Sequence, residues 1–84
     1  MQREEIASRL MNFLQEEFPN QEQALTESTD LLEEWFVDSV GIIETALFLE
    51  RTFDLDIRRA DINGTNFRNV TALADFVDSR LQQS

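Results

Sequence analysis

The chain has 84 residues, contains no cysteine, histidine, lysine or tyrosine, and carries a formal net charge of −10 at pH 7. This inventory excludes disulfides, thiolate nucleophiles, serine–histidine hydrolysis, Schiff-base lysines and the usual zinc ligand sets, so we do not expect an enzyme. The acidic excess repels phosphate backbones and anionic lipids, so we expect no nucleic-acid or membrane partner. A basic protein surface would be attracted, although the same charge also serves solubility alone.

The first helix is predicted from Arg3 to Phe18, where apolar residues recur at helical spacing along one face. The members of this stripe are Ile6, Leu10, Phe13, Leu14 and Phe18. Pro19 and Asn20 are expected to end the helix. Because the first ten residues, MQREEIASRL, lack the apolar region of a secretion signal, we expect a cytoplasmic protein.

An acidic connection follows, from residue 21 to residue 38, with no basic residue in it. Three leucines, Leu25, Leu31 and Leu32, stand among its acids, and we expect them to pin a long loop to the rest of the protein. Long ordered loops in small domains are often functional.

The second helix is predicted from Ser39 to Phe53, with Asp38 as its N-cap, because a carboxylate there can accept from unpaired backbone N–H groups. This helix has two apolar stripes, one of Val40, Ile43 and Leu47 and one of Ile42, Ala46, Leu49 and Phe53. That is more apolar surface than one core contact needs. The helix either packs on two sides or presents one stripe to a partner.

The segment DLDIRRADINGTNF, residues 54–67, predicts a loop with one short helical turn. Its acids do not form a calcium loop, because Gly64 at the sixth position would place Arg59 and Val70 at ligand positions. Helical spacing returns at Val70, Leu73, Ala74, Phe76, Val77 and Leu81. Asn69 or Thr71 is the expected cap. No run alternates with a period of two, so we predict an all-α bundle of three main helices and one short helix.

Seven residues in and around the second helix stand at characteristic distances from Ser39 along the chain. They are Asp38, Ser39 itself, Val40, Glu44, Glu50, Phe53 and Ile57. In this register, and over nearly the whole chain as far as NFRNVTALADFV, the sequence resembles the acyl and peptidyl carrier protein family. The resemblance implies that Ser39 carries a 4′-phosphopantetheine arm derived from coenzyme A, with Asp38 as its motif neighbour. A phosphodiester there would face the positive end of the helix dipole. It also implies a partner-facing surface made of Val40, Ile43, Leu47, Glu44 and Glu50.

On the same resemblance, residues 1–84 form one acyl-carrier-protein-like domain, a four-helix bundle with a long loop between the first two helices. The implied partners are a phosphopantetheinyl transferase, an adenylating or acyl-transferring enzyme and a downstream tailoring or condensing enzyme. We expect a monomer. The alternative function is an unmodified acidic helical adaptor that binds a basic partner through Val40, Ile43 and Leu47.

The sequence also departs from the family pattern. Phe36 stands where many members have glycine, Arg51 stands where fatty-acid carriers often have an acid, and Arg58 and Arg59 stand where a proline and an acid are common. The three arginines interrupt the acidic face and argue against recognition by a standard fatty-acid synthase set. The features that together resemble discrete aminoacyl carriers loaded by separate adenylating enzymes, more than fatty-acid carriers, are Phe36, the VDS form of the motif, Leu49-Glu50 followed by Phe53, Ala60-Asp61-Ile62 and Asn66-Phe67. The bulky residues expected to fill any cavity for a long acyl chain are Trp35, Phe36, Phe48, Phe53, Phe67 and Phe76.

Overall fold

Three main helices and two short helical turns make up the described part of the chain, which comprises residues 1–18, 24–36 and 38–83 of a computed structural model. The main helices are Arg3–Glu17 (α1), Ser39–Phe53 (α2) and Val70–Gln83 (α3). A π-type turn spans Leu31–Trp35, and a 3-10 turn spans Arg59–Asp61. No strand occurs in these described ranges. The predicted all-α, acyl-carrier-protein-like bundle with three main helices is thus confirmed. The short helix predicted after α2 is the 3-10 turn, and the π-type turn before α2 is an additional short element.

Helix α1 follows the predicted apolar stripe. Ile6, Leu10 and Leu14 are fully buried, and Phe13 and Phe18 are half-buried. The helix ends at Glu17, and the next N–H, that of Phe18, donates to the Leu14 carbonyl at 3.2 Å. The predicted stop at Pro19 and Asn20 lies outside the described residues.

The core is shared by all three helices. Its fully buried members include Ile6, Leu10, Leu14, Leu49, Leu73 and Val77. The backbone of α1 approaches that of α3 at more points than the backbone of α2 does. Within the described residues, no helix is long and apolar enough to cross a bilayer.

The connection before α2 is more structured than the sequence predicts. The Asp30 side chain accepts from the Glu33 N–H at 3.1 Å and thereby caps the π-type turn Leu31–Trp35. The Leu31 N–H donates to the Arg68 carbonyl at 2.7 Å, which ties this turn to the residues just before α3. Of the three leucines predicted to pin the connection, Leu25 and Leu31 are buried and Leu32 is half-buried against the core.

Helix α3 begins at Val70, where Asn69 acts as the cap by accepting from the Ala72 N–H at 2.8 Å. The other cap candidate, Thr71, has a different role. Its N–H and its hydroxyl both donate to the Glu27 carbonyl, at 3.1 and 3.2 Å. The start of α3 therefore holds the acidic connection through bonds between residues that are 44 positions apart.

Helix α2 ends in a left-handed residue. Asp54 has φ 55° and ψ 51°, and its N–H donates to the Glu50 carbonyl. The N–H of Leu55 reaches the same carbonyl at 3.3 Å. These bonds satisfy an end carbonyl that would otherwise lack an intrahelical partner.

Candidate functional site

Ser39 is the first residue of α2 and is exposed. Asp38, before it, has an extended backbone, and its carboxylate accepts from the Val40 N–H at 3.0 Å. The Asp38 carbonyl accepts from the Gly41 N–H at 3.2 Å. The predicted cap is therefore present, and it places an exposed hydroxyl at the positive end of the α2 dipole.

The exposed apolar strip of α2 consists of Val40, Ile43 and Leu47, whose exposed fractions are 53%, 54% and 48%. The second predicted stripe faces inward: Ala46, Leu49 and Phe53 are buried, and Ile42 is half-buried. The strip therefore does not pack the bundle core. It begins one residue after Ser39 and continues for two helical turns.

The two predicted docking acids have different surroundings. Glu44 lies one turn after Val40 and three residues before Leu47, beside the strip, and the structure gives it no hydrogen bond or ion pair within the described residues. Glu50 instead uses one carboxylate oxygen to accept from the Ile57 N–H at 2.9 Å. Sequence spacing alone could not predict this bond between Glu50 and Ile57, because the bond requires the chain to turn back at Asp54.

A row of five phenylalanines connects α1, α2 and the segment before Ser39. Successive ring centroids from Phe36 through Phe18, Phe13 and Phe48 to Phe53 are 5.5, 6.3, 4.1 and 6.1 Å apart. These are distances at which aromatic pairs attract one another. The row fills space between the helices with rigid side chains.

Of the six bulky residues that the sequence analysis expects inside, four are buried: Trp35, Phe36, Phe53 and Phe67. Phe48 and Phe76 are half-buried against the core. The Arg80 guanidinium lies 4.9 Å from the Phe76 ring centroid, a cation–π distance.

Gly41 is a residue that the sequence analysis did not single out. It is buried in the first turn of α2, against the Phe36 ring. The signal available in the sequence was a bulky residue at 36 followed, five positions later, by a glycine inside a predicted helix.

A polar cluster of Arg58, Asp61 and Arg80 lies beyond the C-terminal end of α2. The Asp61 carboxylate accepts from the Arg58 N–H at 2.9 Å and from the Arg80 guanidinium at 2.6 Å. The Arg58 N–H bond, more than the neighbouring Arg80 charge, lowers the pKa of Asp61 below its usual value. A cleft of about 640 Å³ opens beside this cluster, among residues 54–61 and 80–83, at the far end of α2 from Ser39. Within the described ranges, no group of three or more carboxylates could hold a metal ion.

Comparison with known proteins shows a similarity in amino-acid sequence. No family model matches the chain. It is 27% identical, over 81 residues, to a protein named acyl carrier protein from Coprothermobacter proteolyticus, and the match covers 96% of each chain. Together with the all-helical fold, this similarity confirms the resemblance predicted from the sequence and supports assigning the chain to the acyl carrier protein family.

Proposed function

We propose that the chain is a stand-alone carrier protein that holds an aminoacyl or acyl group as a thioester on a 4′-phosphopantetheine arm attached to Ser39. It presents this cargo to separate biosynthetic enzymes and performs no chemistry itself, and residues 1–84 act as one carrier domain. The observation that supports this function best is the exposed Ser39 at the capped start of α2. Family similarity supports the carrier role in general.

The residues at the start of α2 fit such an arm. Ser39 offers an exposed hydroxyl, which a phosphopantetheinyl transferase would join to the phosphate of the arm. Asp38 fixes the first turn by holding the Val40 N–H, and the helix dipole favours the negative phosphodiester at this end. When bound, the arm supplies the thiol that this cysteine-free chain lacks.

The test is a mass spectrum of the protein after incubation with coenzyme A and a promiscuous phosphopantetheinyl transferase. We expect one arm on the wild type, none on Ser39→Ala and one on the matched control Ser79→Ala, since Ser79 is an exposed serine on α3. No mass gain on the wild type would favour the alternative, an unmodified acidic adaptor. Arm mass on Ser39→Ala would show that the attachment residue is wrong.

We also propose that the exposed apolar strip and the two acids, Glu44 and Glu50, form the docking surface for the transferase and for the loading and downstream enzymes. The strip supplies apolar contact area beside the arm. Glu44 supplies a charge that no neighbour in the described residues neutralises. Glu50 contributes in a second way, because its bond to the Ile57 N–H also holds the segment after α2 in place.

The cargo that we propose is an aminoacyl or short acyl group of a nonribosomal peptide or polyketide type of pathway. The phenylalanine row supports this choice, because rings already occupy space that a long chain would need between α1 and α2. The test compares the arm-bearing protein loaded with an aminoacyl group and with a long fatty acyl group. A marked rise in melting temperature and slower thioester hydrolysis with the long chain alone would contradict the proposal.

Two further expectations stay predictions. They are a monomeric state and a cytoplasmic location. The partner classes, namely a transferase, an adenylating or acyl-transferring enzyme and a tailoring or condensing enzyme, are proposed on the family resemblance.

A further inference from the structure

The ring of Phe36, three positions before Ser39, lies in a notch on α2 at Gly41. We infer that the contact between the Phe36 ring and Gly41 positions Ser39 for the transferase, so that Gly41 and Phe36 are positioning residues for arm attachment. This inference rests on the proposed function. It assigns a role to two residues that touch neither the arm nor the transferred atoms.

The notch exists because residue 41 has no side chain. A Cβ placed on Gly41 would lie 2.7 Å from Cδ1 and 3.2 Å from Cγ of Phe36, and 3.4 Å from Cε1 of Phe18. Real Cβ atoms essentially never come as close as 2.7 Å to another heavy atom. The Phe36 ring cannot yield easily, because it is buried and meets the Phe18 ring edge-on at 5.5 Å and 66°. Any side chain at position 41 would therefore displace Phe36.

Glycine at this position is not required by the backbone. Neither glycine of the chain has a positive φ, and Gly41 lies within α2, where alanine is intrinsically the better residue. The other glycine gives the contrast, since a Cβ on Gly64 would meet only Leu32, at an ordinary 3.9 Å. Close packing of Phe36 thus accounts for a residue that local helix propensity disfavours.

The displacement would reach Ser39 because Phe36 stands only three positions before it in the chain. The Phe36 N–H donates to the Leu31 carbonyl at 2.8 Å, which anchors it to the π-type turn. Two residues later, Asp38 holds the first turn of α2 through its carboxylate and its carbonyl. Ser39 follows directly. A shift of Phe36 therefore changes how the chain enters α2 at the attachment residue.

The expected kinetic signature follows from this arrangement. When only a fraction of molecules present Ser39 in the bound geometry, apparent affinity falls by that fraction, whereas the step in the bound complex is unchanged. Gly41→Ala should therefore raise the KM for the carrier protein in arm incorporation by about three- to tenfold and leave kcat near its wild-type value.

The experiment measures KM and kcat with coenzyme A and one promiscuous transferase for four proteins: the wild type, Gly41→Ala, Gly64→Ala and the double variant Phe36→Leu with Gly41→Ala. The double variant nearly conserves volume, because a smaller side chain at 36 makes room for a methyl group at 41. We expect it to recover most of the wild-type KM. Gly64→Ala should match the wild type in both constants.

Trp35 provides a second readout that does not depend on the transferase. It is the single tryptophan of the chain, is buried, and immediately precedes Phe36. In Gly41→Ala, displacement of Phe36 should shift the fluorescence emission of Trp35 to longer wavelength. The double variant should recover the wild-type emission, and Gly64→Ala should show no shift. Circular dichroism at the assay temperature verifies that each variant is folded.

The outcomes separate the two proposals. If the wild type accepts no arm, the proposed function fails, while the emission of Trp35 still tests the notch. If the wild type accepts an arm but Gly41→Ala has an unchanged KM, the positioning role is wrong, whether or not the emission shifts. An equal fall in kcat in every variant, or no recovery in the double variant, would also overturn it.

Discussion

The two faces of α2 look alike in the sequence and differ in the fold. One face buries Ala46, Leu49 and Phe53, whereas the other leaves Val40, Ile43 and Leu47 about half exposed. The buried face packs the helix into the bundle, because its residues join the core shared with α1 and α3. The exposed face therefore contributes little to folding and is free to meet another protein. An apolar stripe in the sequence predicts that a helix face makes a contact, but it does not show whether that contact is with the protein's own core or with another protein.

The largest expected effect contrasts one residue from each face. Leu49→Ala should lower the free energy of unfolding by about 2–5 kcal/mol, because a fully buried leucine loses its transfer energy and leaves a cavity. Ile43→Ala, on the exposed face, should change it by less than about 0.5 kcal/mol. Urea unfolding followed by circular dichroism measures both. Similar losses would mean that the two faces are equivalent in stability.

The two acids of α2 sharpen the contrast. Glu50→Ala leaves the part-buried N–H of Ile57 without its acceptor, so we expect a loss of about 1–3 kcal/mol of unfolding free energy. Glu44→Ala should stay within about 0.5 kcal/mol, since Glu44 makes no bond in the described residues. Urea unfolding followed by circular dichroism measures the free energy of unfolding of both variants. A stable Glu50→Ala would show that this carboxylate serves only the surface.

For docking to the transferase, we expect Glu44 to matter more than it does for stability. Glu44→Arg should slow arm incorporation at low salt by up to about tenfold, because a charge beside the apolar strip acts mainly on association. Added salt should shrink the difference. The control Glu17→Arg makes the same charge change on an exposed residue of α1. If both reversals slow the reaction equally, net charge alone accounts for the effect.

The smallest effect concerns pH and lies beyond the end of α2. The pKa of Asp61 is lowered in the folded protein, so its stabilising contribution is present above the ordinary aspartate pKa of about 3.9. The contribution is lost as the pH falls from there through the lowered value. Asp61→Asn should therefore be less stable than the wild type near neutral pH and lose less stability as the pH falls below about 3.9. Parallel loss in both proteins would assign the acid sensitivity to other carboxylates.

Much of the fold could be predicted from local patterns. The bounds of α2, Ser39 and Phe53, follow from its cap and apolar spacing, and the Asn69 cap follows likewise. The π-type turn could not be predicted, because a bond to the distant Arg68 carbonyl holds it.

For the site, the sequence gives the position of Ser39 at the helix start, which a local motif determines. It does not give the second role of Glu50, which depends on how the chain folds back to Ile57. Nor does it give the notch at Gly41, which depends on where the Phe36 ring lies in three dimensions. Contacts between elements carry the information that spacing lacks.

The end of α2 has a practical consequence for protein engineering. Asp54 closes the helix in the left-handed conformation, which glycine adopts without a steric penalty. We therefore expect Asp54→Gly to raise the free energy of unfolding by about 0.5–1 kcal/mol, because relief of the positive-φ penalty outweighs the added entropy of the unfolded chain. It lies fifteen residues and one full helix away from Ser39, so a sturdier version of the protein could be made with its proposed modification surface intact.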